Sequence, residues 1–311
     1  MGHRTHASIP FFDGMQHIEL LSQYLVAGIT YGTIYAVVAI GFNIIYNATG
    51  IINFAQGEFV MLGGMTAVML HTLLPLPLAI LGAVIITMTV GALIEIVFIR
   101  WLTSPAVLRL TIITIGIAIL IREIALALWG TGVKALPYFT GTAVTVISIG
   151  DVHISPQVLW VISISAVMVV ILHFFFTYTL LGRQMRACAS NRDAARLCGI
   201  SAKNMVTLSF VLSAGIGALA GCVVSPITYV QYDSGTSLAI KGFTVAILGG
   251  LGNSMAAIAA GLILGILESF SIWVMPTAYK DVIAISILLL ILFVRPSGIF
   301  GNVEASRLKE F

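Results

Sequence analysis

Three observations predict an all-α integral membrane protein, a polytopic helical bundle of about eight or nine transmembrane helices with broken or re-entrant segments in each half. The first is composition. Of 311 residues, 59% are hydrophobic and 9% are charged, and the mean hydropathy is +1.08. Soluble domains carry about 25% charged residues. The second is that two long apolar runs are each interrupted once, by "YNATGIINFAQGE" at 46–58 and by "LGGLGN" at 248–253. Irregular backbone survives at membrane depth only where protein or a water-filled cavity satisfies its polar groups. The third is that the basic residues cluster in a few short segments instead of spreading along the chain.

The apolar runs place spans at 20–43, 57–74, 77–99, 110–129, 157–178, 205–224, 242–273 and 279–294. The seventh is too long for one straight crossing, and the break at 248–253 divides it into a short half-helix and a full span. Residues 1–19 read as a polar N-terminal extension and 302–311 as a cytoplasmic tail, leaving 20–301 as the transmembrane domain. No cleavable signal peptide is evident, because the first apolar run is too long and lacks a small-residue cleavage site. The Lys/Arg bias puts Arg183, Arg186, Arg192, Arg196 and Lys203 in the cytoplasm, with Arg100 and Arg109 on the same side. Arg295, Arg307 and Lys309 share that side if 242–273 crosses twice. The 130–156 loop is then external. Within it "VTVISIGDVHIS" alternates around Gly150-Asp151 and reads as a small β-hairpin. The hairpin either covers the outer mouth or touches an external partner.

Several kinds of chemistry are excluded. No Gly-Lys pair occurs anywhere, so there is no phosphate-cradling P-loop and no ATPase site of that type. No Ser/His/Asp or zinc-type arrangement stands out, the three cysteines (Cys188, Cys198, Cys222) form no C-x-x-C pair, and His3 with His6 lacks further ligands, so neither metal nor cofactor is expected. The net charge of +3 reads as an orientation signal.

Four groups of residues are candidates for function. Asn43, Asn47, Asn53, Gln56 and Glu58 surround the first break; uncharged amides both donate and accept, and could line a translocation path or merely satisfy broken backbone. Arg122 and Glu123 lie in mid-span, where a charge needs a partner. Glu95 and Glu268 are the candidate partners for Arg122, in a structural ion pair more than in a proton or ion relay. Gly28/Gly32, Gly217/Gly221 and Gly261/Gly265 have the G-x-x-x-G spacing of close helix packing. Finally "GRQMRACASNRDAARLCGIS", 182–201, is basic and rich in small residues. As one helix it would bring Ala187, Asn191, Ala194 and Cys198 onto one face and Arg192 and Arg196 onto the other, with Gly199 as its stop. A small-residue face admits another protein closely; the alternative is a solvated positive-inside loop.

These residues carry a resemblance. "ITYGTIYAVVAIGFNIIYNATGIINFAQGEFVMLGG", 29–64, resembles the N-terminal signature of LivH-type permeases, the membrane subunits of branched-chain amino-acid ABC importers. The 182–201 stretch, within a loop at 181–204, resembles the family's cytoplasmic coupling loop. "KGFTVAILGGLGNSMAAIAAGLILGILES", 241–269, and "YKDVIAISILLLILFVRPSGIFG", 279–301, resemble its C-terminal half. The likeness covers about 20–301. It implies an inner-membrane permease driven by separate subunits: a second permease of LivM type, two cytoplasmic ATPases of LivG and LivF type, and a periplasmic solute-binding protein. It further implies that Arg183, Arg186, Ala187, Asn191, Arg192, Ala194, Arg196 and Gly199 belong to the ATPase coupling element. Urea and short-chain amide permeases share the signatures. From the residues alone, an ion-coupled secondary transporter relying on Glu95, Glu123 or Glu268 is one rival and a passive channel another.

Overall fold

The computed structural model describes residues 10–101, 107–149, 152–274, 276, 279–295 and 298–299. The chain forms α1 (Pro10–Thr49), α2 (Gln56–His71), α3 (Leu76–Ile94) closed by a π-helical turn (Glu95–Ile99), α4 (Val107–Trp129), β1 (Ile147–Ile149), β2 (Val152–Ile154), α5 (Pro156–Tyr178), α6 (Leu180–Ser190), α7 (Arg192–Leu197), α8 (Ala202–Thr228), α9 (Ser234–Gly249), α10 (Ser254–Val274) and α11 (Lys280–Val294). Among the described residues, six helices are long and apolar enough to cross a membrane: α1, α3, α4, α5, α8 and α10. At 16, 16 and 15 residues, α2, α9 and α11 are shorter than the roughly 20 a straight crossing needs.

α1 runs through the middle of the bundle. From Ile34 to Ile45 it is almost wholly buried, with Val38 and Ala39 fully enclosed. Small residues make this possible. The Gly28/Gly32 pair of α1 packs directly onto the Gly261/Gly265 pair of α10. A Cβ at Gly32 would lie 2.7 Å from the Gly261 carbonyl oxygen, and one at Gly28 would lie 2.8 Å from the Ile266 Cα. Backbone meets backbone there, which is how membrane helices gain contact when lipid supplies no hydrophobic drive. On the opposite flank, Gly217 and Gly221 of α8 receive Phe59 and Val60 of α2. The outer helices carry exposed Leu, Ile and Val, such as Leu93, Ile112, Val170 and Leu289. That is the reverse of a soluble protein and is the surface acyl chains require.

Both breaks are present. α1 continues to Thr49, six residues past the expected end of the first span, so Asn43 and Asn47 sit on the helix and not in the gap. Asn43 Oδ1 and Asn47 Nδ2 find partners there, described below. The gap itself is 50–55, and Gln56 and Glu58 open α2. The second break separates α9 from α10 at 250–253, with Gly250 and Gly252 at φ of 93° and 90°. The hairpin pairs Ile147 with Ile154 and Ser148 with His153; its Gly150-Asp151 tip lies outside the described residues. So do His3, His6, Arg307, Lys309 and the 302–311 tail. Residues 10–19, expected in a polar extension, form the first turns of α1.

The basic stretch is not one helix. Asn191 adopts extended backbone (φ −151°, ψ 111°), and its Oδ1 accepts from the Asp193 and Ala194 amides at 3.0 and 2.9 Å. An asparagine at this position satisfies the orphan donors of a new helix instead of continuing the old one. The stretch therefore becomes two short helices, α6 and α7, and the single face expected for Ala187, Asn191, Ala194 and Cys198 does not form as one helical stripe. Gly199 (φ 81°) does stop α7: its amide bonds the Arg196 carbonyl at 2.9 Å, and the Ile200 amide bonds that of Ala195 at 3.0 Å. This is a Schellman closure, for which the left-handed glycine is the usual residue.

Candidate functional site

The polar residues fall into three groups. The first is at the breaks. Asn43 and Asn47, one turn apart on α1, grip the same residue of the second break, Gly252. The Gly252 amide donates to Asn43 Oδ1 at 3.0 Å, and Asn47 Nδ2 donates to the Gly252 carbonyl at 2.9 Å. Across the bundle Gln56 Nε2 donates to the Ser213 carbonyl, and the Ser213 hydroxyl bonds both Gln56 Oε1 and the Gly41 carbonyl. Asn53 Oδ1 accepts from the Ala55 amide and so holds the turn into α2. Asn43, Asn53 and Gln56 have no exposure, whereas Asn47 is half-buried. Asn47 lines a cavity of roughly 330 Å³ together with Ala48, His173, Met185, Arg186 and Gly252. The two breaks are thus tied to each other through α1.

The second group is charged. Arg122 was expected beside Glu95 or Glu268. It pairs instead with Glu58, Nη2 to Oε1 at 3.3 Å. The reason is placement: α4 packs on the first turns of α2, where Glu58 is buried. Glu95 is on the π-helical end of α3 and accepts from the Thr207 hydroxyl at 2.7 Å. Glu268 belongs to a separate network with Lys241 at 2.7 Å and Lys280 at 3.6 Å, and Lys241 also meets Asp281 at 2.8 Å. Lys241 donates to the Tyr35 hydroxyl, and Lys280 sits 4.3 Å from the Tyr31 ring centre, in cation–π range. Glu123 is exposed. Sequence reasoning passed over Lys241, Lys280 and Asp281. Their signal was available: each is an ionisable residue in or beside an apolar run, which marks it as needing a partner.

The third group is the α6–α7 element. Its inner side is Gly182, Met185, Cys188 and Ala195; Arg183, Arg186, Ala187, Asn191, Ala194, Arg196 and Gly199 are exposed. Arg192 was expected to share an outer face with Arg196. It turns inward, and its Nη2 donates to the Ala48 carbonyl at 2.7 Å. That carbonyl is in the last turn of α1, where no intrahelical donor reaches and where the helix dipole favours a cation. Burial lowers the Arg192 pKa from its ordinary value, and the neighbouring Arg196 adds to this. Arg196 remains outside, 3.3 Å from Asp193. Leu197, which the sequence did not single out, is 91% exposed at the tip.

A many-helix membrane bundle whose interior is furnished with amides and paired charges is the build of a transport protein. Comparison with known proteins gives the particular kind. A family model described as "Branched-chain amino acid transport system / permease component" matches residues 24–292. The permease protein BraD of a high-affinity branched-chain amino acid transport system, from Pseudomonas aeruginosa, is 34% identical over 94% of this chain and 100% of its own length. The corresponding LivH of Escherichia coli K12 is 33% identical over 92% of this chain and 97% of its own. Among solved structures, PsaBC from Streptococcus pneumoniae, in complex with Fab, covers 96% of this chain and 99% of that chain at 14% identity, with a TM-score of 0.49, too slight a likeness to carry an argument. The chain belongs to the family of permease components of branched-chain amino acid transport systems.

Proposed function

We propose that the chain is a permease subunit of an ABC importer carrying leucine, isoleucine and valine across the bacterial inner membrane, powered by separate ATPase subunits. The observation that carries this reading is the α6–α7 element of a chain that belongs to the permease family. Its outer side is exposed, with Leu197 protruding, while Arg192 ties its inner side to the end of α1. An ATPase subunit moving against α7 pulls on the Ala48 carbonyl. From there Asn47 and Asn43 lead to Gly252 and the second break.

The rest of the reading follows from this. Arg183, Arg186, Ala187, Asn191, Arg192, Ala194, Arg196 and Gly199 form the coupling element, its basic residues on the cytoplasmic side. Asn43, Asn47, Asn53, Gln56 and Glu58 border the path, and the buried ones open to it as the breaks move. The short helices α2, α9 and α11 join the six long ones to complete about nine crossings. Residues 20–301 act as one permease domain, alongside a LivM-like permease, LivG- and LivF-like ATPases and a periplasmic binding protein.

The test is reconstitution. Vesicles holding this chain with its partner subunits should accumulate leucine only with ATP, and Ala194→Trp should leave the permease in the membrane but without co-purifying ATPase. Leucine accumulation driven by an ion gradient, with no ATPase subunit present, would sink the reading.

A further inference from the structure

We propose that the cavity between α1, α5, α6 and the head of α10 holds the headgroup end of an anionic phospholipid from the cytoplasmic leaflet, with Arg186 and His173 receiving its phosphate. The cavity is roughly 330 Å³. At about 30 Å³ per molecule that is the space of about eleven waters, enough for the glycerophosphate end of a lipid and too little for the whole of one.

The lining has two characters. Ile40 and Ile44 of α1, Leu172 and Phe176 of α5, and Met255 and Ile258 of α10 make most of it apolar. Arg186 of α6 and His173 of α5 are its ionisable members, and no carboxylate lines it. Both side chains are exposed, and neither has a hydrogen-bond or ion-pair partner among the described residues. An arginine fork matches phosphate oxygens, and a histidine ring carries an N–H donor whether or not it is charged. With no acid to receive an ammonium, the site favours a net negative headgroup over a zwitterionic one. A small water-soluble anion would use the two donors and leave the apolar wall wet.

Placement within the bilayer points the same way. On α5 the cavity takes the stripe Val169, Leu172, His173 and Phe176, spaced three and four apart on one helix face. The neighbouring stripe, Val170 and Phe174, is exposed and apolar, as is Ile171, so the cavity opens beside a face that acyl chains cover. Arg186 lies in the basic segment that the Lys/Arg bias puts in the cytoplasm, at the end of α5 where the chain leaves the membrane. Basic pockets between spanning helices at that level are where anionic headgroups are held. Asn47, Ala48 and Gly252 line the same cavity, so a lipid bound there lies against both the end of α1 and the second break.

The experiment uses vesicles holding the full chain, alone and assembled with its partner subunits. They contain a small, sub-saturating fraction of phosphatidylglycerol with a photoreactive diazirine near the top of one acyl chain. After illumination the labelled peptides are mapped by mass spectrometry. Label should fall on the peptides containing Leu172–Phe176 and Met255–Ile258 in both preparations. Excess unlabelled phosphatidylglycerol should displace it, whereas phosphatidylcholine, glycerol phosphate and inorganic phosphate should not. Arg186→Gln should lower the labelling about fivefold, the effect of one basic residue beside an anionic lipid. Arg186→Lys should keep most of it, and Arg183→Gln, next to the cavity but not on its lining, should leave it unchanged. Ala189→Trp, which fills the cavity from α6 and keeps both donors, should lower the labelling too. The proposal is overturned if neither peptide is labelled, if phosphatidylcholine displaces the label as well as phosphatidylglycerol does, or if Arg186→Gln labels like the parent. Displacement by free phosphate would make this a phosphate site and not a lipid site. Labelling that disappears in the assembled importer would make it a face covered by a partner subunit. Either result also overturns the proposal.

Discussion

Replacing Asn191 by alanine removes the side chain that starts α7. Its Oδ1 accepts from two amides, those of Asp193 and Ala194, at 3.0 and 2.9 Å. Losing such a cap costs about 1 kcal/mol, within a range of about 0.5–2. α7 has only six residues, so it has few internal bonds over which to spread that loss. Helices this short do not persist unaided. The cap at one end and the Gly199 closure at the other are what hold it. A cost of about 1 kcal/mol, set against an RT of about 0.59, makes local opening about fivefold more frequent. Hydrogen exchange on the peptide spanning 190–200 reads this directly, and its amides should exchange about fivefold faster in Asn191→Ala. Asn191→Asp keeps an acceptor and adds a negative charge at the helix N-terminus, so exchange should match or fall below the parent. Asn191→Gly should cost only a few tenths of a kcal/mol. If the alanine variant exchanges at the parent rate, α7 is held by its packing through Ala195 and the Arg192 bond, and the capping argument is wrong.

Other expectations follow from single contacts. Arg122→Ala leaves Glu58 buried and unpaired, at a cost of about 3–5 kcal/mol, and should reduce folded protein in the membrane; Glu58→Gln with Arg122→Gln, having neither charge, should recover part of it, and equal levels of all three proteins on a blot would refute the pairing. Gly32→Leu puts carbon where the Gly261 carbonyl already lies 2.7 Å away, and overpacking of about 1–3 kcal/mol should lower the thermal midpoint in detergent, an unchanged midpoint being the contrary result. Cys198 is exposed and should alkylate rapidly near pH 8, while Cys188, whose thiol pKa is raised by burial despite the opposing pull of Arg192 and Arg196, holds less thiolate at that pH and should lag; the adduct sites are mapped by mass spectrometry, and equal rates would contradict the burial.

What was legible in the sequence was local. Glycine and asparagine betrayed both breaks because irregular backbone needs left-handed or self-satisfying residues, and Gly250 and Gly252 do take positive φ. The Ile147–Ile154 hairpin was visible in its alternation. What was not legible was mostly tertiary. The G-x-x-x-G spacings announced close packing, but nothing local says that Gly28/Gly32 meets Gly261/Gly265 and that Gly217/Gly221 meets α2 instead. α1 outran its apolar window because Asn43 Oδ1 and Asn47 Nδ2 find partners 209 and 205 residues away, at Gly252. Arg122 was assigned the carboxylates that lie inside apolar runs; Glu58, 64 residues back, was overlooked as a partner because it had been read as lining the break. One miss was avoidable. Asn191 followed by Arg192 and Asp193 carries a helix-start signal, a capping residue with an acid in the first turn, and reading it would have divided the basic stretch correctly.

The kinds of polar group at the two sites differ for a physical reason. At the break, Gly252 is held by two neutral amide bonds, each worth about 0.5–1.5 kcal/mol net, so the clamp contributes about 1–3 kcal/mol. Driving a two-state element from 1:99 to 99:1 takes about 5.5 kcal/mol. A clamp of that strength biases the break toward one arrangement without fixing it there, and asparagine, which donates and accepts, can find new partners as the break moves. The charged pairs are a different case. Separating Arg122 from Glu58 would cost about 3–5 kcal/mol, comparable to the whole switching energy, so that pair is suited to move as a unit with α2 and α4. Lys241, Glu268 and Asp281 join α9, α10 and α11 in the same way. If α7 is the coupling element, as proposed, a displacement arriving there would have its softest path along Arg192, Ala48, Asn47 and Gly252, where neutral or singly charged hydrogen bonds meet glycine backbone, and the helices tied by ion pairs would travel as blocks on either side.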